Sequence, residues 1–397
     1  MLEFSDRLNN MEESATLAMS RLSRELKAQG KDIISLSLGE PDFHTPQFIK
    51  DAALEAMNNN FTTYTPVPGY DDLREGIVNK FKRDNGLTYS KTQIVVSTGA
   101  KQSLANVILS LINPGDEVII PAPYWVSYIE IVKLAEGIPV IVEAGIDSDF
   151  KITASQLEKA ITPKTKMMIF STPCNPSGSV YGKEELKQLA DTIAKYPKMV
   201  VISDEIYEHI NFVGKHESLA QFENVYNQVV TVNGVSKAWA MTGWRIGYIG
   251  APQPIADACT KMQGQFTSGT SSISQKAALA AVNADPAILK DMIAAFKGRR
   301  DLVLEKLNDI KGIKTNVPEG AFYVFPDVSS FYGKSYNGTI VNNADDLCMY
   351  LLNEALVALV SGDAFGDTNC IRISYATSEE ILTEALKRVK TALEKLN

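Results

Sequence analysis

QIVVSTGAKQSLANVILSLINPGDEVII, residues 93–120, reads as strand, helix and strand in immediate succession. QIVVS (93–97) is a short β-branched run, the mark of a buried strand. After the small-residue turn TGAKQS, Leu104, Val107, Ile108 and Leu111 recur at i, i+3, i+4 and i+7, the spacing of one helix face. EVIIP (117–121) then opens the next strand.

The same alternation continues outward. IPVIV (138–142), KMMIFS (166–171), MVVIS (199–203), QVVTVN (228–233) and RIGYIG (245–250) are further short apolar runs. Between them KEELKQLADTIAKY (183–196) is amphipathic through Leu186, Leu189, Ala190 and Ile193. Such a series predicts an α/β fold with a mostly parallel central sheet and helices on both faces. Ligands of such sheets bind beyond the carboxyl ends of the strands. After about residue 285 the pattern becomes α+β. A charged helix leads to two strands around a turn at 313–328, a helix near 344–356 and a strand at 370–376. The last helix is expected to start at a Thr377-x-x-Glu380 capping box, with Leu382, Leu386, Val389, Leu393 and Leu396 on one face. The expected division is an N-terminal segment (1–45) packing with the small domain, a large domain (46–285) and a small C-terminal domain (286–397).

Composition narrows the function. A chain of 397 residues exceeds what one core usually serves. Its 45% hydrophobic and 22% charged residues are ordinary for a globular protein. A net charge of −8 without a dense Lys/Arg cluster argues against a nucleic-acid or anionic-membrane surface. The four cysteines form no CxxC pair and suggest neither a zinc nor a disulfide framework. The polar start MLEFSDRLNNMEES lacks a signal-peptide core, and no apolar run has the length of a membrane span, so a cytoplasmic location is expected.

Lys237 stands in SKAWAMTGWRIGYIG (236–250) among small, apolar and aromatic residues, just after a predicted strand. Low-dielectric surroundings favour the neutral amine, which is the form that attacks a carbonyl. A lone lysine of this kind is more often a side chain snorkelling from a loop. Other strand ends also carry polar groups: Asn175 in TPCNPSG, Asp204 and Tyr207 in DEIYEH, and the Gly99-Ala100-Lys101 turn. Turn chemistry, a helix cap and a plain strand–helix joint would account for these one by one. Together they lie where this class of fold binds ligands. Pyridoxal phosphate needs a lysine, a carboxylate for its pyridine nitrogen, donors to its ring oxygen, an aromatic plate, and a helix N-terminus with an arginine for phosphate. Lys237, Asp204, Tyr207 with Asn175, Trp125, the 99–101 turn and Arg245 offer one candidate for each.

SKAWAMTGWRIGY resembles the lysine-bearing segment of the fold-type I, class I aminotransferases. GEPDF (39–43), TTYTPVPGYDDLR (62–74), PYWVSY (123–128), NPSG (175–178), SDEIYEH (203–209) and RISYATS (372–378) match further motifs of that family, in order. The resemblance covers nearly the whole chain and is closest to the prokaryotic aspartate aminotransferase branch. It implies that Lys237 binds pyridoxal phosphate covalently and shuttles a proton, and that Asp204 pairs with the pyridine nitrogen. Tyr207 and Asn175 are then expected to bond the ring oxygen, and Trp125 to stack on the ring. Arg245 and the amides around Ala100 would hold the phosphate. Tyr64 would reach the phosphate of a neighbouring subunit, which implies a homodimer with shared sites.

For the substrate, the resemblance assigns Arg372 to the α-carboxylate, with Gly39, Trp125 and Asn175 beside it. GQFTSGTSS (264–272) lacks the arginine by which the animal-type branch binds a distal carboxylate. The prokaryotic branch uses a lysine in the phosphate turn, here Lys101. A first-turn lysine opposes the helix dipole unless an anion faces it. An aspartate:2-oxoglutarate aminotransferase with ping-pong kinetics is the expectation; a broader, aromatic or prephenate specificity is the alternative. Relatives that use prephenate carry a Lys-Pro-Ser-x-Thr stretch. Ser14 and Thr16 are kept in this chain, while Glu12 replaces the lysine.

Overall fold

The computed structural model describes residues 2–397. Seven strands form the central sheet: β1 (Ile94–Ser97), β2 (Glu117–Ala122), β3 (Ile138–Glu143), β4 (Thr165–Ser171), β5 (Val200–Asp204), β6 (Val229–Gly234) and β7 (Gly247–Gly250). Their spatial order is β1-β7-β6-β5-β4-β2-β3. Strand β7 runs antiparallel to both β1 and β6, and every other pairing is parallel. Side chains alternate across the sheet, because successive strand residues point to opposite faces. Ile94 and Val96 join one core cluster, together with Met168, Phe170 and Val201. Val95 joins the other, with Met167, Ile169 and Ile202. Both faces are apolar, so the runs read as continuous rather than alternating.

Helix α1 (Ala100–Leu111) buries Leu104, Val107 and Ile108 on the second face, where Ile255, Ala256 and Cys259 of Gln253–Phe266 also pack. Lys183–Ile193 buries Leu186, Leu189, Ala190 and Ile193 on the first. Helix α1 follows β1 directly through Gly99, whose φ of 82° lies in the left-handed region that favours glycine. Strand β7 passes close beneath this turn. A Cβ on Gly247 would collide with the backbone of Gly99 and Ala100, so β7 can lie there only as glycine.

Beyond the sheet, Lys290–Asn308 packs against the last helix, and β8 (Tyr323–Val324), β9 (Val360–Ser361) and β10 (Ile371–Ser374) form an antiparallel sheet with β10 at its centre. Ile34–Ser35 pairs in parallel with Val357–Ala358, and Ile33 packs on Leu352 and Ala358.

Three local expectations are corrected. Residues 313–328 hold one strand, Tyr323–Val324, and only a single bridge from Lys314 to Asp327. The last helix spans Glu379–Leu393 and is capped by Ser378, whose hydroxyl accepts from the Ile381 amide, so Thr377 lies one residue outside the cap. Arg245 and Ile246 precede β7 instead of belonging to it, and Arg245 takes a left-handed conformation (φ 57°, ψ 56°). Among the described residues, no helix is long and apolar enough to cross a membrane.

Candidate active site

A cavity of about 330 Å³ opens at the carboxyl ends of β4 and β5 and the start of α1. Its walls include Ser14, Thr16, Gly39, Ala100, Lys101, Trp125, Asn175, Asp204, Tyr207, Lys237, Arg245 and Arg372. Two residues singled out in the sequence stand apart from that wall. Gly99 lies just behind it, packed against the Arg245 guanidinium, where a Cβ would collide with Nη2. Tyr64 is 99% exposed and does not line the cavity of its own chain.

Asp204 closes β5 and is buried. Tyr128 donates to its Oδ2 at 2.7 Å, and the Ile206 amide donates to its Oδ1 at 3.2 Å. Burial pushes its carboxyl up to about 6, against the opposing pull of Tyr128, the Ile206 amide and Lys237. A cationic partner inside the cavity would relieve that cost. Lys237 follows β6 and donates from Nζ to the Gly39 carbonyl at 2.7 Å. Its ammonium lies 5.6 Å from the Tyr207 ring and 5.9 Å from the Phe322 ring. Desolvation, and then the nearby Arg372 charge, lower its pKa to about 8. At pH 7.5 about a quarter of such amines are neutral, a useful fraction for a nucleophile.

Arg372 projects from β10 and is only 2% exposed. Nη1 donates to Asn175 Oδ1 at 3.0 Å, and Nη2 donates to the Ser37 carbonyl at 2.5 Å and to Thr16 Oγ1 at 3.4 Å. The guanidinium is sandwiched between the rings of Tyr323 (4.7 Å) and Phe365 (4.8 Å). All its partners are neutral, and the buried Nε has none among the described residues. A buried charge of this kind calls for an anion from outside the chain.

A second group of donors lies at the start of helix α1. Helix α1 begins at the cavity with no side chain capping its amides. Arg245 is beside it, its Nη1 tied to the Thr242 carbonyl at 2.8 Å. Lys101 carries its ammonium 4.9 Å from the Trp125 ring, and burial followed by Arg245 lowers its pKa. Ser14 and Thr16 reach the wall from the N-terminal segment, while Glu12 bonds outward through its amide to Glu130 Oε2 at 2.8 Å.

Sequence reasoning gave no role to Tyr128 or Tyr323. Tyr128 follows Trp125 by one helical turn within the quoted PYWVSY motif, which was the available signal. Tyr323 lies in an apolar strand and reads as core.

Such a cavity is suited to amine chemistry on small carboxylate-bearing molecules. The chain's solved relatives sharpen this. The aspartate aminotransferase from Rhizobium meliloti superposes with a TM-score of 0.97 at 42% identity, covering 100% of both chains. Residues 31–389 match the model of aminotransferase class I and II, and the chain belongs to that family. A probable aspartate/prephenate aminotransferase of Rhizobium leguminosarum bv. phaseoli is 48% identical over 98% of each chain. A bifunctional aspartate aminotransferase and glutamate/aspartate-prephenate aminotransferase of Petunia hybrida is 47% identical over 99% of this chain and 83% of its own.

Proposed function

We propose that the protein is a pyridoxal-phosphate-dependent aspartate:2-oxoglutarate aminotransferase. The observation that carries this reading is one cavity joining a pKa-lowered lysine amine, a buried carboxylate and a buried guanidinium whose hydrogen-bond partners among the described residues are all neutral. The residues fit the cofactor. Lys237 would hold it covalently, Asp204 would keep its pyridine nitrogen protonated, and Trp125 would cover its ring. Tyr207 and Asn175 would bond its ring oxygen; Gly99, Ala100, Lys101 and Arg245 form the phosphate cradle. Bound there, pyridoxal phosphate supplies an electron sink for the pair left at the substrate Cα when its proton departs.

The chain's own groups do the rest. The Lys237 amine would take the proton from the substrate Cα and hold it within the cavity for return. Arg372, with Asn175, Trp125 and Gly39 around it, orients the α-carboxylate, and the fork geometry of guanidinium suits this. Lys101 binds the distal carboxylate. Amino acid and 2-oxo acid use the same groups in turn, hence ping-pong kinetics. Segments 1–45 and 286–397 form the unit that closes over 46–285, with Leu17 and Leu38 excluding water at the mouth. Tyr64 serves the partner's phosphate in a cytoplasmic homodimer.

Single amino acids mixed with the cofactor-loaded enzyme test the assignment through the rate of loss of the cofactor's absorption band. Aspartate and glutamate should react fast. Lys101→Ala should slow both by roughly 10- to 100-fold, the worth of a charge-assisted contact, while sparing alanine. Equal rates for alanine and aspartate in the wild type would overturn the dicarboxylate assignment. Prephenate belongs in the same panel, because two of the three relatives named above carry it in their names. With Glu12 in place of lysine, it should be a poorer acceptor than 2-oxoglutarate.

A further inference from the structure

Tyr323 touches three parts of the site at once. Its hydroxyl lies 2.8 Å from the Tyr207 hydroxyl, and the two rings meet edge to face at 5.9 Å. Its ring face carries the Arg372 guanidinium at 4.7 Å. Its hydroxyl also lies against Gly39, where a Cβ would collide with it, and the Gly39 carbonyl is the acceptor for Lys237. Strand β8, which bears Tyr323, pairs directly with β10, which bears Arg372, through Ser374↔Tyr323 and Ile373↔Val324. The two side chains therefore belong to one rigid unit, while Tyr207 follows β5 in the large sheet.

A phenol has one proton to donate. If Tyr207 spends its proton on Tyr323, it has none for a cofactor oxygen. If Tyr323 donates to Tyr207, the Tyr207 proton is free to point into the cavity. The Arg372 cation on the Tyr323 face decides between these, because a positive charge makes that phenol the better donor. Both phenols are buried, and the charged or titratable groups facing the pair are Arg372, Lys237 and Asp204. A carboxylate arriving on Arg372 neutralises the cation and weakens Tyr323 as a donor.

We propose that Tyr323 is a positioning residue that relays occupation of Arg372 by a substrate carboxylate to the hydrogen bond Tyr207 makes with the cofactor. This rests on the proposed function, since it takes Tyr207 as the partner of the ring oxygen. Through this relay the cofactor's ring oxygen is held as an anion in the free enzyme and less strongly once substrate is seated. The amine chemistry at Lys237 is thereby tuned by whether a carboxylate is present.

The test follows the visible absorption band of the bound cofactor across pH, with and without succinate, a dicarboxylate with no amino group to transfer. In the wild type, succinate should raise the pH midpoint of the band, because a neutralised cation favours proton retention. Tyr323→Phe removes the hydroxyl and keeps the ring under Arg372. With no acceptor left at position 323, the Tyr207 proton stays turned to the cofactor, so the midpoint of the free enzyme should move by less than about half a pH unit, the scale of one net hydrogen bond. The substitution should also cut the succinate-induced rise to less than half, with succinate affinity changed less than threefold. In a Tyr207→Phe background, Tyr323→Phe should have no further effect. A wild-type succinate response in Tyr323→Phe would overturn the relay and leave the function standing, as would an unchanged effect in the Tyr207→Phe background. A wild type with no band after pyridoxal phosphate is added would overturn the function itself and the relay with it.

Discussion

Asp204 is held in the folded chain at an energetic cost that the cofactor would remove. Its carboxyl rises from 3.8 to about 6 through burial, so the folded state holds its proton more tightly than the unfolded chain does. The stability this lends is fully present below about pH 4 and is lost as pH climbs through 6. The shift is worth about 3 kcal/mol. Asp204→Asn keeps an oxygen for Tyr128 and removes the titration. In urea unfolding of the cofactor-free protein, the variant should match the wild type near pH 4 and exceed it by up to about 3 kcal/mol at pH 8. Transaminase turnover should fall by roughly 10²–10⁴-fold in the same variant. A stability gain that is the same at both pH values would assign the cost to shape instead of charge. Asp204 alone reads as a helix cap, and it was singled out because Asn175, Tyr207 and the 99–101 turn fall with it at strand ends where this class of fold binds ligands. Tyr128 and Tyr323 were not, since their rings satisfy an apolar pattern and the hydroxyls that matter leave no trace in it.

Among the elements, the sheet was nearly fully legible, for strands buried on both faces are mostly apolar along their length. Direction was not: nothing in GYIG distinguishes an antiparallel strand from a parallel one, and β7 proved antiparallel. Arg245 was read as the first strand residue because RIGYIG continues the apolar run, whereas its backbone turns left-handed to aim the guanidinium at Gly99. The close passage of β7 under the 99–100 turn gives a test. Gly247→Ala places a methyl into that backbone, and overpacking of this kind costs about 1–3 kcal/mol. It should also weaken phosphate-dependent cofactor binding, measured by equilibrium titration, because Ala100 begins the cradle. The last helix offers a second test. By sequence Thr377-x-x-Glu380 forms a capping box while Ser378, followed three residues on by Ile381, offers only its hydroxyl, yet the observed bond runs from the Ile381 amide to Ser378. Ser378→Ala should cost about 1 kcal/mol in urea unfolding, and Thr377→Ala much less. The reverse order would restore the sequence register.

At the scale of the whole molecule, a chain of net charge −8 gathers Lys101, Lys237, Arg245 and Arg372 around one cavity. Low-dielectric walls focus that local field on small anions despite the global sign. Of the two predicted residues outside the cavity wall, Gly99 backs the Arg245 guanidinium, while Tyr64 is exposed and away from its own cavity. If it serves a neighbour's phosphate, mixed subunits will reveal it. Lys237→Ala carries a sound Tyr64 and a dead site, and Tyr64→Ala carries a sound Lys237 and a crippled cradle. In a hybrid dimer the Tyr64→Ala chain receives a sound tyrosine across the interface, so one site is restored. After the two variants are unfolded and refolded together in equal amounts, half of the dimers are hybrids with one intact site each. Activity at limiting pyridoxal phosphate should then approach roughly a quarter of the wild type, above the mean of the two parents measured alone. If Tyr64 acts within its own chain, no pairing can supply it, and the mixture will show only that mean.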